Sequence, residues 1–242
     1  MLRVEVLEQR ALLSAAVWTG AGGDGQWDNP LNWVVSTENG PVKEVPGVGD
    51  DATIGPDQGT ITTGVAENIV NSLVCSSDLS VTGDLRILAG MTLDGTASVS
   101  VGGDLEAFGT ATISGTATLS GGSIYCGGIS RTGTTDGTGQ IILGSEGGVL
   151  GAGTIGPGIT VTGGNGTILA GVNEGTIVSS GGNVGVSVNV GVNEGTIVSS
   201  GGTLTLVGLT LTNEGTIEAA GGTVIVGADT SFSFTPGPGN SL

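Results

Sequence analysis

The chain has no histidine. That absence removes Ser-His-Asp and Cys-His nucleophilic catalysis, the commonest general base, and histidine-based zinc sites. Basic residues are almost as scarce. Arg3, Arg10, Lys43, Arg86 and Arg131 are the only 5, against 22 acids, and the net charge is −17. Nucleic acid is held by cationic surface that displaces counterions, so no nucleic-acid role is expected. An anionic membrane surface is disfavoured for the same reason. The acidity instead suits solubility of a Gly-rich β protein. No apolar run reaches the ~18 residues of a membrane-spanning helix. The 2 cysteines, Cys75 and Cys126, form no C-x-x-C, and the single lysine lies in no phosphate-cradling loop.

What is present is glycine, at 50 residues, with an apolar fraction of 37% drawn mostly from Val, Ile, Leu and Ala. There is no G-x-y triplet and only 7 prolines, so the chain is not collagen. Valine and threonine favour strands, while glycine and asparagine favour tight turns. The balance is that of an all-β protein with many short strands.

The C-terminal half carries a repeat. It reads GVNEGTIVSSGGNVGVSVNV from Gly171, GVNEGTIVSSGGTLTLVGLT from Gly191 and LTNEGTIEAAGGTVIVGADT from Leu211. A period near 20 residues is too short for paired helices and suits one turn of a parallel β-helix. The expected fold is therefore a single-stranded, right-handed parallel β-solenoid with about 20 residues per coil. Alternation places Val184, Val186, Val188 and Val190 inward, with Leu204, Leu206, Val224 and Val226 above them. Ile177, Ile197 and Ile217 form a second internal column, and the Gly-Gly pairs at 181, 201 and 221 fall at corners. Upstream the period loosens, with room for eight or nine coils and a rod of roughly 40 Å. Cys75 and Cys126 then lie about 12 Å apart along the axis, beyond disulfide reach, so two free thiols are expected.

Four zones follow: an N-terminal segment at 1–17, a tryptophan-bearing cap or first coils at 18–56, the helix at 57–230, and a tail or linker at 231–242. In the first, Ala11 to Val17 is short for a signal core, and Glu5 and Glu8 sit where positive charge belongs. Leu7-Glu8-Gln9-Arg10-Ala11-Leu12-Leu13-Ser14-Ala15 resembles the LEPR-x-LL motif of large exported proteins, best known from planctomycete bacteria, with Gln9 where that family has Pro. The skeleton Trp18, Gly22-Gly23, Trp27, Asn32-Trp33, Val45-Pro46, Gly49-Asp50-Asp51 and Ile54 resembles the opening of bacterial surface β-helix and autotransporter-like passenger proteins. These resemblances imply export or a cell-surface location, and bring no catalytic residue.

Four groups are candidates for function. Acids in the irregular coils, Asp78, Asp84, Asp94, Asp104, Glu106, Asp136 and Glu146, could pair across coils as polysaccharide-cleaving carboxylates, but only Arg86 and Arg131 are near them to hold an acidic sugar. Glu174, Glu194 and Glu214 form a ladder beside Asn173, Asn193 and Asn213. Such glutamates point outward to be screened, or else hold Ca²⁺, the one cofactor the sequence suggests. Asp24, Asp28, Asp50 and Asp51 are further oxygen donors without the calcium nonapeptide. Trp18, Trp27 and Trp33 either stack on sugars or cover the first coil, whose open strand edges would otherwise invite association, as Phe232 and Phe234 would at the far end. Thr-x-Thr pairs at 110, 116, 203 and 210 do not recur at one position of every coil, so a flat ice-binding array is not expected. Asn165-Gly166-Thr167 is a glycosylation sequon only in a eukaryotic secretory setting.

The sequence thus points to a non-enzymatic exported or cell-surface β-helix with a structural or adhesive role, whose partners would be surface glycans or other surface proteins. A carbohydrate-binding or polysaccharide-cleaving β-helix is the rival class; its mark would be clustered acids with an arginine on one face. A fragment of a larger surface protein is the further alternative.

Overall fold

A computed structural model describes residues 13–95, 97–119, 121–126, 134–145, 147–181, 185–208, 210–227 and 231–234. The fold is an all-β parallel solenoid of about 8 stacked coils with ~20 residues per turn. Among the described residues the only helical element is a single 3-10 turn, Pro30–Asn32. Among the described residues no helix is long and apolar enough to cross a membrane.

Each coil offers three strand positions, and equivalent strands stack in parallel into three faces. Face 1 runs from Ser14–Trp18 and Asp50–Ile54 through Ser72–Cys75, Met91–Leu93 and Ala111–Ile113 to Ser231–Phe234. Face 2 is a 9-stranded sheet from Ile61–Thr62 to Thr216–Ala219. Face 3 runs from Asn68–Val70 to Thr223–Val226. In Val149–Ile155, Asn165–Asn173 and Gly185–Asn193 a single strand passes from face 3 into face 1 without a turn. That continuity joins the two faces into one 19-stranded sheet.

The pleat sets what lies inside, because alternate side chains of each short strand point to the axis. Ala16, Ala52, Leu73, Met91 and Ala111 are register partners on face 1, and all are buried. Ile177 sits beneath Ile197 on face 2, and Val186 beneath Leu204 on face 3, again buried. Burying each such aliphatic is worth about 1.5–3 kcal/mol, so the columns supply the main stabilisation along the whole stack.

The regular coils show why glycine holds certain corners. A Cβ on Gly195 would lie 2.1 Å from the Gly175 carbonyl oxygen, and one on Gly215 would lie 2.1 Å from that of Gly195. No larger residue fits where one coil's backbone rests so closely on the next. At the other expected corner, Gly181, Gly202 and Gly221 have positive φ.

Several expectations are refined. Val184 lies outside the described residues, as do residues 1–12 with most of the export-type motif, Arg131, Glu146, and the end of the tail at 235–242. Strand Ser14–Trp18 crosses the division placed between residues 17 and 18; it pairs antiparallel with Trp33–Thr37 and parallel with Asp50–Ile54, so residues 14–17 belong to the cap. Val226 is 47% exposed rather than internal, and Ile217 is only partly buried. Among the described residues no strand lies beyond Thr223–Val226 or Thr216–Ala219 to cover them. The tail segment Ser231–Phe234 continues face 1, pairing with Thr210–Asn213, rather than beginning a linker. The side chains of Phe232 and Phe234 lie outside the described part.

Candidate functional site

The N-terminal cap is built around its three indoles. Trp18 and Trp33 meet edge to face with centroids 5.0 Å apart, and Trp27 meets Trp33 at 4.7 Å. Trp33 Nε1 donates to the Trp27 carbonyl at 2.8 Å. Exposure is 5% for Trp18 and 0% for Trp27 and Trp33. Stacking on a sugar needs an open ring face, and none of these is open; the rings seal the first coil. The indole N–H groups of Trp18 and Trp27 are buried without an acceptor.

Asp24 organises the loop that folds over these rings. Its carboxylate accepts from the Gln26 amide at 3.1 Å, Asn29 Nδ2 at 2.8 Å and Asn32 Nδ2 at 2.7 Å. Those donors, the Gln26 amide first, hold its pKa below the usual value. Asn32 is fully buried and also accepts from the Gly22 amide at 2.7 Å. A Cβ on Gly22 would lie 2.5 Å from Asn29 Nδ2, which explains the glycine in the Gly-Gly-Asp run. Asp50 accepts from the Gly47 amide at 2.7 Å, and Asp51 from Asn71 Nδ2 at 2.7 Å and Ser72 Oγ at 2.6 Å. Three of the four candidate oxygen donors in this zone therefore close turns or tie coils together. The fourth, Asp28, packs against Gly64.

The glutamate ladder stands at the corner between faces 1 and 2, and Glu174, Glu194 and Glu214 are all exposed. Among the described residues no group of three or more acids, cysteines or histidines is arranged to hold a metal ion. The neighbouring asparagines point the other way. Asn173, Asn193 and Asn213 are buried, and each donates to the glycine carbonyl two residues on, at 3.3, 3.4 and 3.1 Å. They are turn devices, as their residue type suggests, and also rungs of a ladder, since Asn173 Nδ2 donates to Asn193 Oδ1 at 2.7 Å.

The irregular coils form a charged patch on face 3. Arg86 Nη1 lies 3.0 Å from Glu67 Oε1, and Arg86 Nε lies 3.0 Å from Glu106 Oε2. Its guanidinium sits 5.2 Å from the centroid of Phe108. The hydrogen bond to Glu67, with the charge of both glutamates, raises the arginine pKa against a smaller desolvation effect. Asp84 and Asp104 join these residues around a shallow depression of about 260 Å³. Stacking assembles the group: Arg86 is the register partner of Glu106, and Leu85 next to Asp84 is the partner of Leu105 next to Asp104. Glu67, which had no place among the sequence candidates, joins because it precedes Asn68, the partner of Leu85.

The other acids stay apart from this patch. Asp78 accepts from the Ser98 amide at 3.0 Å and from Ser98 Oγ at 2.8 Å, and these bonds lower its pKa. It borders a second depression of about 370 Å³ with Pro56, Asp57 and Ser77. Asp94 is exposed at a corner, and the Asp136 side chain lies outside the described part.

Cys75 and Cys126 are free and buried. Cys75 belongs to face 1, as partner of Leu93, and Cys126 to face 3, as partner of Ala107, so they lie on different faces as well as in different coils. Burial raises the thiol pKa of Cys75 and pushes that of Cys126 up to about 12.

No protein-family profile matches the chain, and searches of curated proteins and of solved structures returned no match. The class defined by the fold is the parallel β-solenoid.

Proposed function

We propose that this chain is a non-enzymatic exported or cell-surface element with a structural or adhesive role. The observation that carries the reading is the sealed first coil, from which an unbroken buried core extends into the regular repeats. A capped, continuously packed stack is stiff and presents long faces to its surroundings. The export-type motif and the surface-protein-like tryptophan skeleton support the location. Fractionation and protease shaving of intact cells of the natural source test it: recovery in the surface or extracellular fraction is expected, and recovery only from the cytoplasm overturns it.

A second reading is carbohydrate binding or cleavage at the face 3 patch. It is favoured by Arg86 standing among Glu67, Asp84, Asp104 and Glu106 with Phe108 alongside. An arginine can hold an acidic sugar, and an aromatic can flank the ring. A glycan array and a reducing-sugar assay on acidic polysaccharides decide the matter. Signal lost in Arg86→Ala supports the patch, and silence of the parent chain in both assays removes it.

A further inference from the structure

Several asparagine side chains tie this molecule together. Asn29 and Asn32 hold the cap loop through Asp24, and Asn71 donates to Asp51 at 2.7 Å. Asn173, Asn193 and Asn213 form the buried ladder. Two described asparagines precede a glycine, Asn39 and Asn165, and their settings differ. Asn165 opens the strand Asn165–Asn173 and donates from Nδ2 to the Ser145 carbonyl at 3.3 Å. Gly166 after it is held in register with Val186, and a Cβ there would lie 2.8 Å from the Gly148 carbonyl oxygen. Asn39 is exposed, and with Glu38 it makes the turn between Trp33–Thr37 and Gly40–Val42. Thr37 with Gly40 is the last register pair of that short hairpin. Gly40 has a φ of 106°, with nothing within 4 Å of a Cβ placed on it.

We propose that Asn39 is a site of spontaneous covalent modification: deamidation through a cyclic imide formed with Gly40. In the first step the Gly40 backbone nitrogen attacks Asn39 Cγ. A C–N bond forms, and the side-chain nitrogen leaves as ammonia, carrying the proton that Gly40 gives up. In the second step water opens the ring. Addition at Cγ gives aspartate, and addition at the main-chain carbonyl of Asn39 gives isoaspartate, in which the backbone runs through the side chain. Water is the only co-reactant. The attack needs a following residue with no Cβ to crowd the approach, and a backbone free to turn toward the side chain. The hairpin tip supplies both, because only its terminal pair has to open, a local event of little cost at a loop tip. At Asn165 the same rotation would pull Gly166 out of a strand that pairs with Val149–Ile155 below and Gly185–Asn193 above. The product adds a carboxylate beside Glu38. Isoaspartate also lengthens the turn by one backbone carbon, which takes Thr37 and Gly40 out of register.

The test incubates the full, folded chain in mildly alkaline buffer and samples it over weeks. Peptide mapping by mass spectrometry reads aspartate and isoaspartate at each asparagine, and labelling by a protein isoaspartyl methyltransferase reads isoaspartate alone. Conversion is expected first at Asn39, with Asn165 lagging about ten-fold or more because it reacts only from opened coils. In denaturant the two sites should convert at comparable rates. Asn39→Gln, whose larger ring closes far more slowly, should remove the early isoaspartate signal. Conversion of Asn39 no faster than that of Asn165 in the folded chain overturns the proposal, as does early isoaspartate that persists in Asn39→Gln. A lag of Asn165 that survives denaturant overturns it too, since the flanking residues and not the turn would then set the order.

Discussion

Asn173 donates its side-chain amide to Asn193 at 2.7 Å, yet its own Oδ1 has no donor. The cause lies one coil below, where the register partner of Asn173 is Ile155. Asn193 is fully engaged, accepting from Asn173 and donating to Asn213 Oδ1 at 2.6 Å. Asn193→Ala therefore strands a donor below and an acceptor above, and should lower the unfolding free energy by about 2–3 kcal/mol. Urea denaturation measures this; a loss within the noise would show that the ladder contributes nothing.

Backbone proximity predicts a contrast between two glycines. Gly195→Ala places a methyl 2.1 Å from the Gly175 carbonyl oxygen and should destabilise by about 2 kcal/mol or more. Nothing lies within 4 Å of a Cβ on Gly49, and Gly49→Ala should fall within about 0.5 kcal/mol of the parent chain. Equal effects at the two sites would contradict the close stacking of coils.

The cap should be acid-sensitive through Asp24. Its folded pKa lies below the ordinary 3.8, so the folded state binds its proton less readily than the unfolded chain. The stabilisation from this carboxylate is complete above the unfolded value, and is lost as pH falls through the folded one. Tryptophan fluorescence melts should therefore report a cap that weakens below about pH 4. Asp24→Asn should be less stable at neutral pH and show a smaller acid-dependent drop. An unchanged drop would assign the acid sensitivity elsewhere.

Both thiols should resist labelling in the native state. With its pKa at about 12, Cys126 carries essentially no thiolate at neutral pH, and both cysteines are buried. Iodoacetamide followed by mass spectrometry should mark neither in buffer and both in denaturant, with no mass deficit for a disulfide. Rapid native labelling of Cys126 would contradict its burial.

The exposed glutamate ladder should respond to ionic strength rather than to a particular ion. Repulsion between Glu174, Glu194 and Glu214 is screened by salt. Ca²⁺ and Mg²⁺ at matched ionic strength should raise the melting temperature equally. A rise specific to Ca²⁺, absent from Glu194→Gln, would establish a cation site.

The fold was legible because Gly171 to Thr230 keeps a strict period of 20 residues, with Asn-Glu-Gly-Thr-Ile and a Gly-Gly pair recurring in each copy, which fixes both coil length and inward positions. Covering the first coil was one of two roles the sequence left open for Trp18, Trp27 and Trp33; their burial closes the other, stacking on sugars. The face 3 patch was not legible, and neither was the alignment of Thr116 and Thr118 with Thr160 and Thr162 on face 2. Both depend on register through coils of unequal length: Cys75 pairs with Leu93, whereas Ala111 pairs with Thr135 across a longer interval. A single residue of error in such an interval turns every outward side chain inward. Glu67 escaped notice for that reason, being brought to Arg86 only by the register of Asn68 with Leu85.

The asparagine ladder also bears on how such a chain changes length. Because Asn173, Asn193 and Asn213 sit 20 residues apart with the same donor sense, excision of one unit would hand the Asn173 amide directly to Asn213. Tandem duplication of the unit would insert another rung without stranding any polar group. Unequal recombination within this stretch can therefore lengthen or shorten the molecule in whole coils, each of them sound at once. The seam above Ile155 admits no such trade, because the rung below Asn173 offers no side-chain amide to continue the ladder.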